Sequence, residues 1–155
     1  MSGAKRWPTR RSPKPEMRVV LDTNVLVSAL LIETSLPAQL LTQWRRGRFD
    51  LLTSDLQLEE LMRVTRYPKI SARLKPSLAG RLINHLRELA VLMENLPAVE
   101  VSPDPDDNYL LALALGGEAD YLVTGDKPHL LALARYEGTQ IVSVRDFINL
   151  TRLLP

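Results

Sequence analysis

The chain predicts an α/β fold, a three-layer α/β/α sandwich with a mostly parallel central sheet. Three observations lead there. Short β-rich runs alternate with segments of helical period from residue 17 onward, the order that covers both faces of a parallel sheet with helices. Cap and stop residues fall between those segments. A length of 155 residues with 45% hydrophobic composition suits one domain with a substantial core.

The elements follow in order. Arg18–Leu21 is a β-rich run ending at Asp22, and residues 24–32 and 36–44 read as helices, the second with Pro37 in its first turn. Phe49–Leu52 is a second strand. Ser54 and Gln57 have capping-box spacing at the start of a helix to about Thr65, with Pro68 beyond it. Pro76 opens a long helix whose apolar positions, Leu78, Leu82, Ile83, Leu86, Leu89, Ala90 and Met93, keep helical spacing. Val99–Val101 is expected as a weak strand. Residues 106–115 form an apolar helix ended by Gly116 and Gly117. Tyr121–Val123 is a buried strand, residues 127–135 a helix, and residues 140–142 a last strand. Ser143 and Asp146 cap a final helix to about Arg152.

Composition narrows the chemistry. The chain has no cysteine, which excludes disulfides, thiol nucleophiles and thiolate metal sites. No apolar run reaches the length of a membrane span, and the basic N-terminus lacks the apolar stretch of a secretory signal. A cytoplasmic protein with no membrane partner is expected. Residues 1–16 hold five basic residues, three prolines and one apolar aromatic, Trp7, and read as a disordered basic arm before a domain spanning 17–155. Residues 45–87 carry ten basic and four acidic residues, whereas residues 88–155 carry four basic and eleven acidic. A basic surface beside clustered acids suits an enzyme that holds a polyanion and a cation together.

The acids follow the strands. Asp22 ends the first; Glu59 and Glu60 lie on the helix after the second; Asp104, Asp106 and Asp107 come after the run at 99–101; Asp126 follows Tyr121–Val123. Taken singly, each reads as a helix cap, a turn residue or a solvated helix residue. In a parallel sheet, however, these strands exit at one edge, where ligands of such sheets bind. Converging carboxylates stay ionised at neutral pH when a cation lies among them. Oxygen donors alone favour a hard ion, Mg²⁺ or Mn²⁺, the ions of phosphodiester hydrolysis.

The segments Met17–Leu26, Leu58–Val64 with Tyr67–Ile70, Asp104–Ala114 and Thr124–Lys127 resemble, in order, the four acidic motifs of PIN-domain ribonucleases. They are most similar to the toxin components of bacterial toxin–antitoxin pairs. The resemblance covers about residues 17–152. It implies a PIN-like nuclease domain in which Asp22, Glu60, Asp107 and Asp126 are the catalytic, metal-binding acids. Asp104 is a fifth candidate ligand, and Thr23, Asn24, Ser54 and Thr124 are groups orienting the acids. Glu60 is preferred to Glu59 because it directly precedes Leu61. The implied activity is endoribonuclease cleavage with Mg²⁺ or Mn²⁺, and the implied partners are an RNA substrate and an antitoxin protein; whether the chain forms a homo-oligomer is left open by the sequence. Two other readings stand beside it: a non-catalytic PIN-like module binding RNA or protein, and another metal-dependent phosphoesterase. A phosphatase with a nucleophilic Asp and a second Asp two residues on is disfavoured, because Thr23 and Asn24 follow Asp22.

Overall fold

A computed structural model of the chain describes residues 17–125 and 127–154. The expected disordered arm, residues 1–16, lies outside the described residues. The elements run β1 (Met17–Leu21), α1 (Thr23–Leu31), α2 (Leu36–Arg45), β2 (Phe49–Thr53), α3 (Asp55–Thr65), α4 (Pro68–Ser71), α5 (Pro76–Leu89) and β3 (Val91–Leu92). They continue through α6 (Pro105–Gly116), β4 (Tyr121–Val123), α7 (Pro128–Leu133), β5 (Arg135–Tyr136), β6 (Thr139–Val142) and α8 (Val144–Thr151). One six-stranded sheet has the order β3-β2-β1-β4-β6-β5. All of its pairings are parallel except β5 with β6.

The period-2 alternation of strand side chains divides the core between two faces. Val19, Leu21, Phe49, Leu51, Val123 and Val142 meet residues of α1, α2, α3, α5 and α8 on one face. Val20, Leu52, Leu122 and Ile141 meet α6 and α7 on the other. Strands buried on both sides read as continuous apolar runs, which is why Val19, Val20 and Leu21 are all fully buried. Phe147 seats α8, meeting the Phe49 and Tyr121 rings edge-on with centroids 5.9 and 5.2 Å away.

Three elements differ from the expectation. The third strand is Val91–Leu92, and residues 99–101 are irregular. Ala90, Val91 and Met93 are buried while Leu89 is exposed. The spacing of Leu86, Ala90 and Met93 fits a helix, but Val91 and Met93 also fit a strand, and Met93 N donates to Thr53 O at 2.8 Å. The helix after β4 stops at Leu133, so that Arg135–Tyr136 can pair antiparallel with β6 across a turn at Glu137 and Gly138. The Pro68 that follows α3 also opens a short helix of its own.

The chain leaves β1 toward β2 along one side of the sheet and returns to place β4 on the other side. The strand order therefore reverses between β1 and β4. Crevices at the carboxyl ends of strands flanking such a reversal are where open α/β sheets bind ligands.

Candidate active site

Asp22 leaves β1 at that reversal and caps α1. Its amide donates to Val123 O at 2.9 Å, joining the ends of β1 and β4. One carboxylate oxygen accepts from Asn24 N at 3.1 Å and the other from the Thr124 hydroxyl at 2.8 Å. Asp22 and Thr124 are almost wholly buried, while Asn24 is exposed. A carboxylate at a helix N-terminus is stabilised by the helix dipole, and the threonine fixes its rotation.

Glu60 reaches the same edge from α3. The Thr23 hydroxyl donates to Glu60 Oε1 at 2.6 Å. Glu59 is exposed, on another face of the helix. Beneath Glu60 lies buried Gln57, which donates to Leu21 O at 2.7 Å and accepts from the Thr53 hydroxyl at 2.7 Å. Its amide nitrogen also stands 3.4 Å from Thr23 Oγ1. Gln57 thus ties the ends of β1 and β2 together. Only half of the expected capping box forms: Ser54 Oγ accepts from Gln57 N at 3.3 Å, while the glutamine side chain is spent on the strand ends.

The third acid comes from α6. Asp107 is 1% exposed in the first turn. Its Oδ2 accepts from the Ser102 hydroxyl at 2.9 Å. Its Oδ1 is buried with no hydrogen-bond partner among the described residues. A buried carboxylate oxygen left this way is costly, and in native structures such oxygens are met by a water or an ion or have a catalytic role. Asp104 is the N-cap of α6, accepting from Asp106 N at 2.9 Å, and Asp106 is exposed. Asn108 clamps the preceding loop, accepting from Val101 N and Ser102 N at 3.0 and 2.8 Å and donating to Ser102 O at 2.8 Å. That clamp places Ser102 against Asp107.

Tyr109 joins the helices. Its hydroxyl lies 3.1 Å from Ser54 Oγ. Burial pushes that hydroxyl well above the usual tyrosine range, and the negative charges of Glu60 and Asp22 push it the same way, against the opposing effect of the Ser54 bond. Tyr109 therefore stays neutral while it feels both acids.

Asp22, Glu60 and Asp107 thus come from three elements, with Ser54, Thr23 and Thr124 bonded among or beneath them. Among the described residues no three histidine or acidic side chains form a ready metal cluster. Asp126, the fourth expected acid, lies outside the described residues. The donor set nevertheless suits a hard divalent ion: all its donors are oxygens, and Asp107 Oδ1 lacks a protein partner. The sequence reading did not single out Gln57, Ser102 or Tyr109 for the site. Gln57 has the spacing of a capping residue, Ser102 lies in a loop whose path carries no periodic signal, and Tyr109 on α6 meets Ser54, 55 positions away in the chain.

The chain matches the PIN domain family over residues 18–128, a span that contains Asp22, Glu60, Asp107 and Asp126. It belongs to that family, whose fold is of nuclease type. No curated protein and no solved structure matches it. Among the described residues no single helix is long and apolar enough to cross a membrane.

Proposed function

We propose that the chain is an endoribonuclease that hydrolyses RNA phosphodiester bonds with Mg²⁺ or Mn²⁺, and that it is the cytoplasmic toxin of a toxin–antitoxin pair. The observation that carries the catalytic reading is the buried Oδ1 of Asp107, without a partner among the described residues, in a PIN domain whose Asp22 and Glu60 come to the same sheet edge. Asp22, Glu60, Asp107 and Asp126 would hold the ion, and Asp104, which caps α6 through one carboxylate oxygen, is a fifth candidate through the other. When bound, the ion would acidify a water and offset charge on the phosphate. The chain's own groups hold the acids. Thr124 sets Asp22, Thr23 sets Glu60, and Ser102 sets Asp107 so that its second oxygen faces away from the hydroxyl. Tyr109 and Ser54 hold α3 and α6 together beneath them. The toxin role is supported by the resemblance of the four motifs to those of toxin nucleases.

The test is cleavage of a single-stranded RNA with Mg²⁺ or Mn²⁺, with chelator, and with Asp22→Asn. Cleavage that needs the ion and is lost in the variant is expected. Cleavage that persists in chelator, or an equally active variant, would overturn the reading.

A further inference from the structure

The chain runs from Glu60 into a stretch of exposed basic residues on α3 and α4. On α3, Arg63 follows Glu60 by three residues, which is about 4.5 Å along the helix axis and on a neighbouring face. Its exposed guanidinium is held further toward the charged form by Tyr67 and by the negative charges of Glu60 and of Asp106 at the start of α6. Arg63 therefore stands at the rim between the two helices that bring Glu60 and Asp107 to the edge. From there residues 63–75 carry Arg63, Arg66, Lys69, Arg73 and Lys75 and no acid. All five are exposed, and among the described residues none forms an ion pair. The other flank, at the start of α6, presents Asp104 and Asp106 instead. A polyanion seated at the acids is attracted along one flank and repelled along the other.

We propose that the RNA strand leaves the acidic edge over α3 and α4, with Arg63 binding the phosphate next to the one cut and Arg66, Lys69, Arg73 and Lys75 neutralising those beyond. This rests on the nuclease reading above. Contacts to phosphate alone position a strand without reading its sequence, so the ridge supplies affinity and direction.

The test compares Arg66→Glu/Lys69→Glu/Arg73→Glu with Arg135→Glu/Arg145→Glu/Arg152→Glu, a triple with the same change in net charge at exposed positions on β5, α8 and the C-terminal end. Steady-state cleavage of a fluorescent RNA oligonucleotide gives KM and kcat. Anisotropy titrations at several salt concentrations, on the Asp22→Asn background, give binding without turnover. The ridge triple should raise KM at least about tenfold with kcat within about twofold. It should also flatten the dependence of log affinity on log salt by about 2, since three lost single-strand phosphate contacts each contribute about 0.7. Arg63→Gln alone should raise KM about tenfold, the size of a lost charged hydrogen bond. The control triple should move neither quantity more than about twofold. Equal effects from the two triples, or a ridge triple that behaves as the parent while the parent cuts RNA, overturn the ridge and leave the nuclease reading standing. A parent that cuts no RNA overturns both.

Discussion

At its amino end β1 buries Arg18, and just past its carboxyl end it delivers Asp22; both side chains are almost wholly removed from water. Arg18 donates through Nη1 to the Gly117 carbonyl at 3.4 Å, with Glu118 at 3.8 Å. Gly117 caps the end of α6, where a helix dipole favours a cation. It is glycine for a steric reason, because a Cβ there would run into the Leu52 side chain. Asp22 instead meets donors, at the start of α1, where an anion is favoured. In a parallel sheet, helices end where strands enter and begin where strands exit, so a base at entry and an acid at exit each meet the matching helix terminus. The two ends differ in their company. Around Arg18 stand the Gly117 carbonyl, the exposed Glu118 and, on its backbone N–H at 2.8 Å, the Asp120 carboxylate, whereas Asp22 lies at the edge that Glu60 reaches through Thr23. The buried charge at the entry meets groups of the opposite sign, whereas the one at the exit has an acid of its own sign, Glu60, on the neighbouring helix.

Deleting each charge is the strongest way to break that comparison. Asp22→Asn should lower RNA cleavage about a thousandfold, equivalent to about 4 kcal/mol of barrier. Its stability should stay within about 0.5 kcal/mol of the parent, because Asn caps a helix nearly as well as Asp. Arg18→Ala should do the reverse. It leaves a cavity and an unpaired carbonyl, costing about 3 kcal/mol, while the remaining folded protein cuts RNA at the parental rate. Arg18→Met keeps most of the buried stem and should cost less than half as much. Urea melts and cleavage rates on the same samples check all three. An Asp22→Asn protein as unstable as Arg18→Ala would erase the distinction between the two ends.

A smaller effect sharpens the carboxyl end. Ser102→Ala removes the hydroxyl that donates to Asp107 Oδ2. The carboxylate is then free to rotate, and loss of such an orienting group typically costs about tenfold in affinity or activity. The Mg²⁺ concentration giving half-maximal cleavage should rise about tenfold, with little change in the melt. A variant that needs no more Mg²⁺ than the parent would separate Asp107 from the ion.

Much of this was readable from residues alone, for reasons that can be stated. β1 and β4 are doubly buried, so their apolar runs are continuous and end abruptly at Asp22 and Thr124. The switch from apolar strand to capping residue marks the sheet edge. Glu59 and Glu60 differ by one position; the Leu61 that follows favours Glu60 in the sequence, and in the fold Glu59 is exposed while Glu60 accepts from the Thr23 hydroxyl. The strand expected at 99–101 was misplaced because Val91 and Met93 satisfy two periodicities at once. Arg18 reads as an ordinary strand residue, since its burial depends on α6 ending beside it, a contact 99 positions away. Ser102 and Asn108 are invisible for a related reason: one loop-closing amide side chain determines where the serine stands.

The smallest expected effect concerns Tyr109, whose buried hydroxyl feels the charges of two of the acids. A hydroxyl so placed invites a role in proton transfer. Its surroundings oppose that role, since burial and the charges of Glu60 and Asp22 all favour the neutral hydroxyl. What the hydroxyl does is bond Ser54 at 3.1 Å and so hold α6 against the start of α3. Tyr109→Phe removes that bond and little else. Ser54 Oγ keeps a partner in Gln57 N at 3.3 Å, so no buried oxygen is stranded, and the loss should be about 1 kcal/mol or less. Cleavage should fall less than about tenfold, through a slight loosening of Asp107 relative to Glu60. Its pH profile should keep the parental shape, because a neutral group that exchanges no proton adds no limb to the curve. A profile that loses a limb in the phenylalanine variant, or a loss of rate as deep as that of Asp22→Asn, would place the Tyr109 proton in the reaction.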